Sequence, residues 1–204
     1  MTLILPGATI GILGGGQLGR LTGMAARSLG YDVHVLDPDP DCSAKAIASR
    51  LVTARFDNAE AAADLARECD VVTLEIEQIS RPALDAVAAL APLRPKADAV
   101  FTVQDRIRQR SWLDAHGVPV GPYRAVGSAD ECAAAVTALG ASICKAPMGG
   151  YDGCGQVRVG SADEARAAHA ALGGGRVIVE QFLDQDREFE VEVEELLDDD
   201  PPAA

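Results

Sequence analysis

Lys145 and Gln156 bracket the segment KAPMGGYDGCGQ, a glycine-rich run set between two apolar stretches. Glycine lets the backbone curl, and successive curled N–H groups make a concave donor surface suited to phosphate oxygens. The segment leaves one strand-like run and returns into another. It therefore reads as a hairpin flap, and it lacks the G-K-[ST] ending of a Walker loop. Tyr151 and Asp152 fall at the flap tip, where side chains reach outward. A cation often assists such a loop, yet the inner position holds the neutral thiol of Cys154.

Gly14, Gly16 and Gly19 in GGGQLG follow an apolar run with G-x-G-x-x-G spacing, and Asp37 ends the next apolar run eighteen residues after Gly19. That context fits a dinucleotide fingerprint, so an NAD-dependent oxidoreductase is one reading. Contact with a phosphate or other ligand is favoured over tight packing alone, and the ligand stays open. Glu75 and Glu77, two apart at the end of DVVTLEIE, are expected on one face of a strand end. There they would orient an amine or ribose hydroxyls, or form a solvated rim pair. Glu180 in VEQF suits an adenine amino group, and Glu188 suits ribose hydroxyls; the alternative is a pair of sheet-edge charges. His34 is expected to be packed within its strand, and His116 and His169 to be exposed near helix ends.

These residues need a scaffold, and the first hundred positions provide an alternating one. ATIGILG, YDVHVLD, SRLVTA and DVVTLEIE read as strands; Gln17 to Leu29, NAEAAADLAREC with Asn58 as cap, and RPALDAVAAL read as helices. Such alternation predicts a parallel sheet covered on both faces, with ligands at the carboxyl ends of its strands. From Lys96 the pattern changes. Helices over ADAVFTVQDRIRQRSWLDAHG close at Gly117 and lead to the extended VPVGPYRAV. Next come a helix over ADECAAAVTALG, a strand ASICKA, the flap, a strand QVRVG and a helix over ADEARAAHAAL. The strands RVIVEQF and REFEVEVEEL follow. The fold class is α/β, a parallel-sheet domain followed by a partial α+β domain. The expected division is 1–95 for the first domain, 96–120 for a helical connection, 121–196 for an incomplete second domain and 197–204 for an acidic, disordered tail. The second domain is expected to be cut short, because its newest strand has no following element to cover it.

A net charge of −13 over 204 residues argues against nucleic acid and anionic membranes as partners, and leaves room for a local basic pocket. Five cysteines, an odd number without a C-x-x-C pair, fit reduced thiols better than a disulfide framework or a zinc site. The opening MTLILPGATIGILGGG lacks a basic lead and is expected to be a buried strand, not a signal peptide. No apolar run reaches spanning length, so the expected compartment is the cytoplasm.

Taken together, IGILGGGQLGRL, GYDVHVLDPDPD, CDVVTLEIE, QDRIRQ, GVPVGPY, GGYDGCGQ and VEQF…DREFEV resemble the ATP-grasp superfamily, in particular the PurK-type 5-(carboxyamino)imidazole ribonucleotide synthases of purine biosynthesis. The likeness spans almost the whole chain, and the first and sixth segments are its most specific parts. It implies a Rossmann-like pre-ATP-grasp domain, part of an ATP-grasp domain, and a carbon–nitrogen ligase. Such an enzyme condenses 5-aminoimidazole ribonucleotide with bicarbonate, using ATP and Mg²⁺; bicarbonate is phosphorylated first, and the substrate amine attacks afterwards. The resemblance assigns Arg106 and Lys145 to ATP phosphates and the adenine surroundings. Gly150, Tyr151, Asp152, Gly153, Cys154, Gly155 and Gln156 become the flap over the phosphates. Glu180, Gln181, Phe182 and Leu183 would line adenine, and Glu188 would hold the ribose. Gln17, Leu18 and Glu75 would face the imidazole ribonucleotide, with Tyr151 and Asp152 reaching over. On this view Asp37 reads no NAD ribose. A homodimer is compatible with the likeness.

The sequence departs from that pattern in particular places. Cys154 replaces a basic flap residue, KAPMGG lacks the basic residues often seen after Lys145, and LEIEQ replaces a more aromatic stretch. Glu190, Glu192 and Glu194 share a strand face with Glu188, where they would repel a triphosphate. The family also continues beyond this length with its Mg²⁺ ligands and with basic residues for the substrate phosphate. The expectation is therefore the fold, weak nucleotide binding and little or no synthase activity from this chain alone. A non-catalytic nucleotide-binding remnant or partner-binding module stands as an alternative, beside the oxidoreductase.

Overall fold

The computed structural model describes residues 3–150 and 154–183. The strands β1 (Thr9–Leu13), β2 (Asp32–Asp37), β3 (Arg50–Thr53) and β4 (Val71–Leu74) form a parallel sheet in the order β3-β2-β1-β4. Leu13 lies between Leu36 and Leu74 in register, at the carboxyl edge. Strands apolar on both sides need cover on both sides. Helix α1 (Gln17–Ser28) packs Ala26 near Ile12, Val33 and Val35 on one face. Helices α2 (Ala59–Ala66) and α3 (Arg81–Ala88) bring Leu65, Leu84 and Val87 to Leu13, Leu36 and Val72 on the other. Their starts are fixed by side chains: Asn58 accepts from the Ala61 N–H at 3.0 Å and Ser80 from that of Ala83 at 3.3 Å.

Two expectations for this sheet need correction. The opening residues do not form a buried strand. Leu3 and Leu5 are 78% and 60% exposed, and a turn with Gly7 at φ +96° separates them from β1. Strand β4 stops at Leu74, so Glu75 and Glu77 do not share a strand face. The Glu75 N–H still bonds to the Leu13 carbonyl, after which the chain leaves the sheet; Glu77 is exposed.

Helices α4 (Ala97–Val103) and α5 (Arg106–Ala115) follow. The Gln104 amide donates to the carbonyls of Glu77 at 2.5 Å and Ile79 at 2.6 Å, tying this segment to the first sheet. Asp105 caps α5, accepting from the Ile107 and Arg108 amides at 2.9 and 3.2 Å, and its other oxygen accepts from Arg176 at 3.0 Å. Gly117, at φ +71°, turns the chain out of α5.

The strands β5 (Tyr123–Val126), β6 (Ser142–Lys145), β7 (Gln156–Val159) and β8 (Val177–Gln181) build an antiparallel sheet in the order β5-β8-β6-β7. Helices α6 (Ala129–Leu139) and α7 (Ala162–Ala171) complete two β–α–β units, each opened by the same G-S-A-D-E run. Ser128 accepts from the Glu131 amide while Glu131 accepts from that of Gly127; Ser161, Glu164 and Gly160 repeat the arrangement. Each is a variant of the capping box, with the glutamate accepting from the N–H one residue before the serine cap. Period-two alternation divides the sheet. Val126, Cys144, Val159, Val177 and Val179 pack with α6 and α7, whereas Tyr123, Ile143, Lys145, Arg158, Ile178 and Glu180 share the opposite face. His169 is not exposed as expected. It is 6% exposed, because the alanine-rich α6 and α7 approach closely and enclose it. The expected strand REFEVEVEEL with its glutamates, and the expected tail, lie outside the described residues.

Candidate functional site

Antiparallel pairing places Glu180 on β8 beside Ile143 on β6, with Lys145 two residues further along the same face. Helix α5 reaches this face from a separate part of the chain. Arg110 Nε donates to Glu180 Oε1 at 2.7 Å, and Lys145 Nζ donates to Glu180 Oε2. The Glu180 side chain is only 12% exposed. Burial alone would push its carboxyl up; the hydrogen bonds and charges of Lys145 and Arg110 outweigh that and hold it below the ordinary glutamate value.

Two further cations border this floor. Arg106, one turn before Arg110, points its guanidinium to the Gly150 carbonyl at 3.5 Å, and its N–H donates to the Pro147 carbonyl at 2.9 Å. Arg158 on β7 lies over the Phe182 ring at 3.8 Å. In a chain of net charge −13, two cations meet one carboxylate, with Arg158 on the same sheet face and Arg106 against the base of the flap. That concentration suits an anionic ligand, with Phe182 as an apolar edge.

The flap leaves β6 and re-enters at β7, with Gln156 opposite Lys145 in register. The Ala146 N–H bonds to the Gly155 carbonyl at 2.8 Å and closes the flap's base; Gly155 has φ +72°. Cys154 is exposed. Tyr151, Asp152 and Gly153, like Glu188, lie outside the described residues. Gln181 turns its side-chain amide to the Leu139 carbonyl, away from the cleft, while Leu183 is 50% exposed beside Gly121.

The carboxyl edge of the parallel sheet forms a second locus. Asp37 accepts from the Gly15 N–H at 2.7 Å and from the Asp39 N–H at 2.8 Å, one at each oxygen, and is 9% exposed. Glu75 Oε2 accepts from the Gly16 N–H at 3.3 Å. The glycine turn and the start of α1 are thus met by carboxylates of the chain itself, and a dinucleotide pyrophosphate would have to displace them. This geometry does not support the oxidoreductase reading of Gly14, Gly16, Gly19 and Asp37. Gln17 and Leu18 are exposed on the first turn of α1, next to Glu75's contact with Gly16.

Between the two loci, a cavity of about 540 Å³ is lined by Gln78 to Arg81, Phe101, Arg108 and the flap residues Met148 and Gly149. Arg108 stacks on Phe101 at 3.5 Å, and Arg81 lies over the same ring at 5.2 Å. Sequence reasoning missed Arg108, Arg110 and Arg158. Arg110 carried one usable signal, its place four residues after Arg106 on the same helix. Among the described residues, no cluster of three His, Cys, Asp or Glu side chains is placed to hold a metal ion. No helix among them is long and apolar enough to cross a membrane.

Comparison with known proteins supports the two-part architecture. Residues 7–104 match a ribonucleotide synthetase pre-ATP-grasp domain, and residues 111–196 match an ATP-grasp domain. The N5-carboxyaminoimidazole ribonucleotide synthase of Brucella melitensis is 41% identical over 159 residues, covering 78% of this chain and 44% of its relative. The ADP-complexed N5-carboxyaminoimidazole synthetase of Staphylococcus aureus superposes with a TM-score of 0.83 at 32% identity, over 88% of this chain and 48% of the other. The Aspergillus clavatus synthase, solved with ADP and 5-aminoimidazole ribonucleotide, gives 0.78 at 33% identity, over 86% and 46%. The chain spans about half the length of the curated relatives it matches. It belongs to the ATP-grasp superfamily, as a homologue of the PurK-type N5-carboxyaminoimidazole ribonucleotide synthases.

Proposed function

We propose that the cleft between α5, the flap and the open face of the antiparallel sheet binds an adenine nucleotide, in the service of ATP-dependent carboxylation of 5-aminoimidazole ribonucleotide by bicarbonate in purine biosynthesis. The observation that carries this reading is the set of cations that one sheet face (Lys145, Arg158) and helix α5 (Arg106, Arg110) bring to the base of a glycine hairpin. Phosphoryl transfer depends on positioning and on charge neutralisation more than on covalent chemistry by the protein. Lys145 and Arg106 supply positive charge to the phosphates, and the hairpin Gly150 to Gln156 covers them and excludes water. Glu180, Gln181, Phe182 and Leu183 border the base, and Glu188 is proposed for the ribose. Mg²⁺ is proposed to arrive with the nucleotide as its counter-ion, since phosphates commonly supply much of its coordination. The second substrate is placed at the carboxyl edge of the parallel sheet, against Gln17, Leu18 and Glu75, with Tyr151 and Asp152 of the flap above. A cytoplasmic setting and a homodimer accompany this reading.

Isothermal titration of the 204-residue chain with ADP, with and without Mg²⁺, tests the nucleotide site. Saturable one-site binding that Lys145→Ala weakens is the expected result. Heats no different from buffer dilution would remove the reading. An assay of ATP turnover dependent on both 5-aminoimidazole ribonucleotide and bicarbonate tests the activity separately.

A further inference from the structure

We propose that Arg110 is a positioning residue for Lys145: it holds Glu180 through the second carboxylate oxygen, so the Lys145 ammonium can turn to a nucleotide phosphate while Glu180 stays paired. The inference deepens the nucleotide-binding reading and rests on it.

Glu180 is almost enclosed, and its two oxygens are divided between two cations, Arg110 Nε at Oε1 and Lys145 Nζ at Oε2. A lysine that is the sole partner of a buried carboxylate is held there, because leaving would strand an uncompensated charge. A lysine whose carboxylate has a second partner is free to move. The two partners also differ in suitability. The lysine ammonium is a point charge on a flexible stem, whereas the planar guanidinium keeps its direction.

Arg110 is anchored independently of Lys145. Its helix begins at the Asp105 cap, and the 3% exposed Asp105 side chain is itself fixed by Arg176 at 3.0 Å. The groups facing Glu180 are Lys145 from β6, Arg110 from α5 and, opposite it in the ladder, Tyr123 from β5. Arg110 is therefore the stationary cation and Lys145 the mobile one.

Carbon-13 carboxyl NMR of the ligand-free chain tests the hold on Glu180. With Lys145→Met, Glu180 should titrate higher than in the unaltered chain but well below the double variant, because Arg110 still opposes the effect of burial. Adding Arg110→Gln should raise the titration further, above the ordinary value of 4.5, since burial alone then acts. A titration in Lys145→Met as high as in the double variant would overturn the proposal. ADP titrations in buffers of differing ionisation heat test the consequence. Arg110→Gln should weaken ADP binding about tenfold and make it take up a proton, as Glu180 protonates when Lys145 leaves; Arg110→Lys should keep most of the affinity. Unaltered affinity without proton uptake in Arg110→Gln would also overturn it. Absence of ADP binding by the unaltered chain would remove the nucleotide reading instead, while the ligand-free titrations still decide whether Arg110 alone holds Glu180.

Discussion

The Glu75 carboxylate meets the Gly16 amide at 3.3 Å, so an anion from the end of β4 closes the N-terminus of α1. Gly14 makes that approach sterically open. It adopts φ +105°, and a Cβ there would lie 2.5 Å from Glu75 Oε2. Gly14→Ala should destabilise the fold by about 2 kcal/mol or more, from backbone strain plus the clash. Urea unfolding measures it. In a Glu75→Ala background the loss should shrink, since the backbone strain and the 3.1 Å approach to Ile76 remain but the carboxylate is gone. Equal losses in both backgrounds would mean that the carboxylate is not the obstacle.

Glu75 also shows where sequence reading stops. The glycine spacing, the alternating strands and caps such as Asn58 were legible because turn, pattern and cap are set by residues close in sequence. Glu75 and Gly16 are 59 positions apart, and Arg110 and Glu180 are 70 apart. Its place one turn after Arg106 is the single local hint that sets Arg110 apart from a solvated arginine on a polar helix face, and its partner is seen only when α5 meets β8. His169 was misjudged for a related reason. Its helix end looks exposed until α6 of the first β–α–β unit packs against α7 of the second.

The repeated G-S-A-D-E run makes a prediction about energetics. Ser128→Ala and Ser161→Ala each remove a hydroxyl acceptor from a helix start of the same design. Each should cost about 1 kcal/mol in urea unfolding, and the double variant about the sum. A loss at one position only would show that one helix start draws its stability from elsewhere.

The thiols should separate by burial. Cys132 and Cys144 are wholly buried with their sulfurs 3.5 Å apart, and burial pushes the Cys69 and Cys144 thiols up to about 12. Cys42 is buried and raised in the same direction, while Cys154 is exposed on the flap. A disulfide reagent on the native chain should therefore label Cys154 rapidly, the partly buried Cys69 slowly because its thiol stays protonated, and Cys42, Cys132 and Cys144 only as the protein unfolds. Loss of the fast phase in Cys154→Ser checks the assignment; its persistence would place an accessible thiol elsewhere.

Cys154 also tests the flap. It is exposed beside Gly155, in the hairpin proposed to cover phosphates. Cys154→Lys should tighten ADP binding by on the order of 1 kcal/mol, about fivefold, as one partly exposed charge contact would. Calorimetry that finds affinity unchanged or lower would mean that this position does not face the phosphates.

Glu180 gives the fold a defined response to acid. Its carboxyl is pushed up by burial but held lower overall by Lys145 and Arg110, so its folded value lies below its unfolded one. Such a group adds stability that is fully present above the unfolded value and is lost as pH falls through the folded value. The unfolding free energy of the unaltered chain should therefore drop between about pH 6 and about pH 3 more steeply than that of Glu180→Gln. At neutral pH the variant should be the less stable of the two, because Lys145 and Arg110 lose their shared partner. Urea titrations across the range decide the matter. Parallel curves would show that the Glu180 charge is not coupled to folding, and the pairing with Lys145 and Arg110 would then carry no stability.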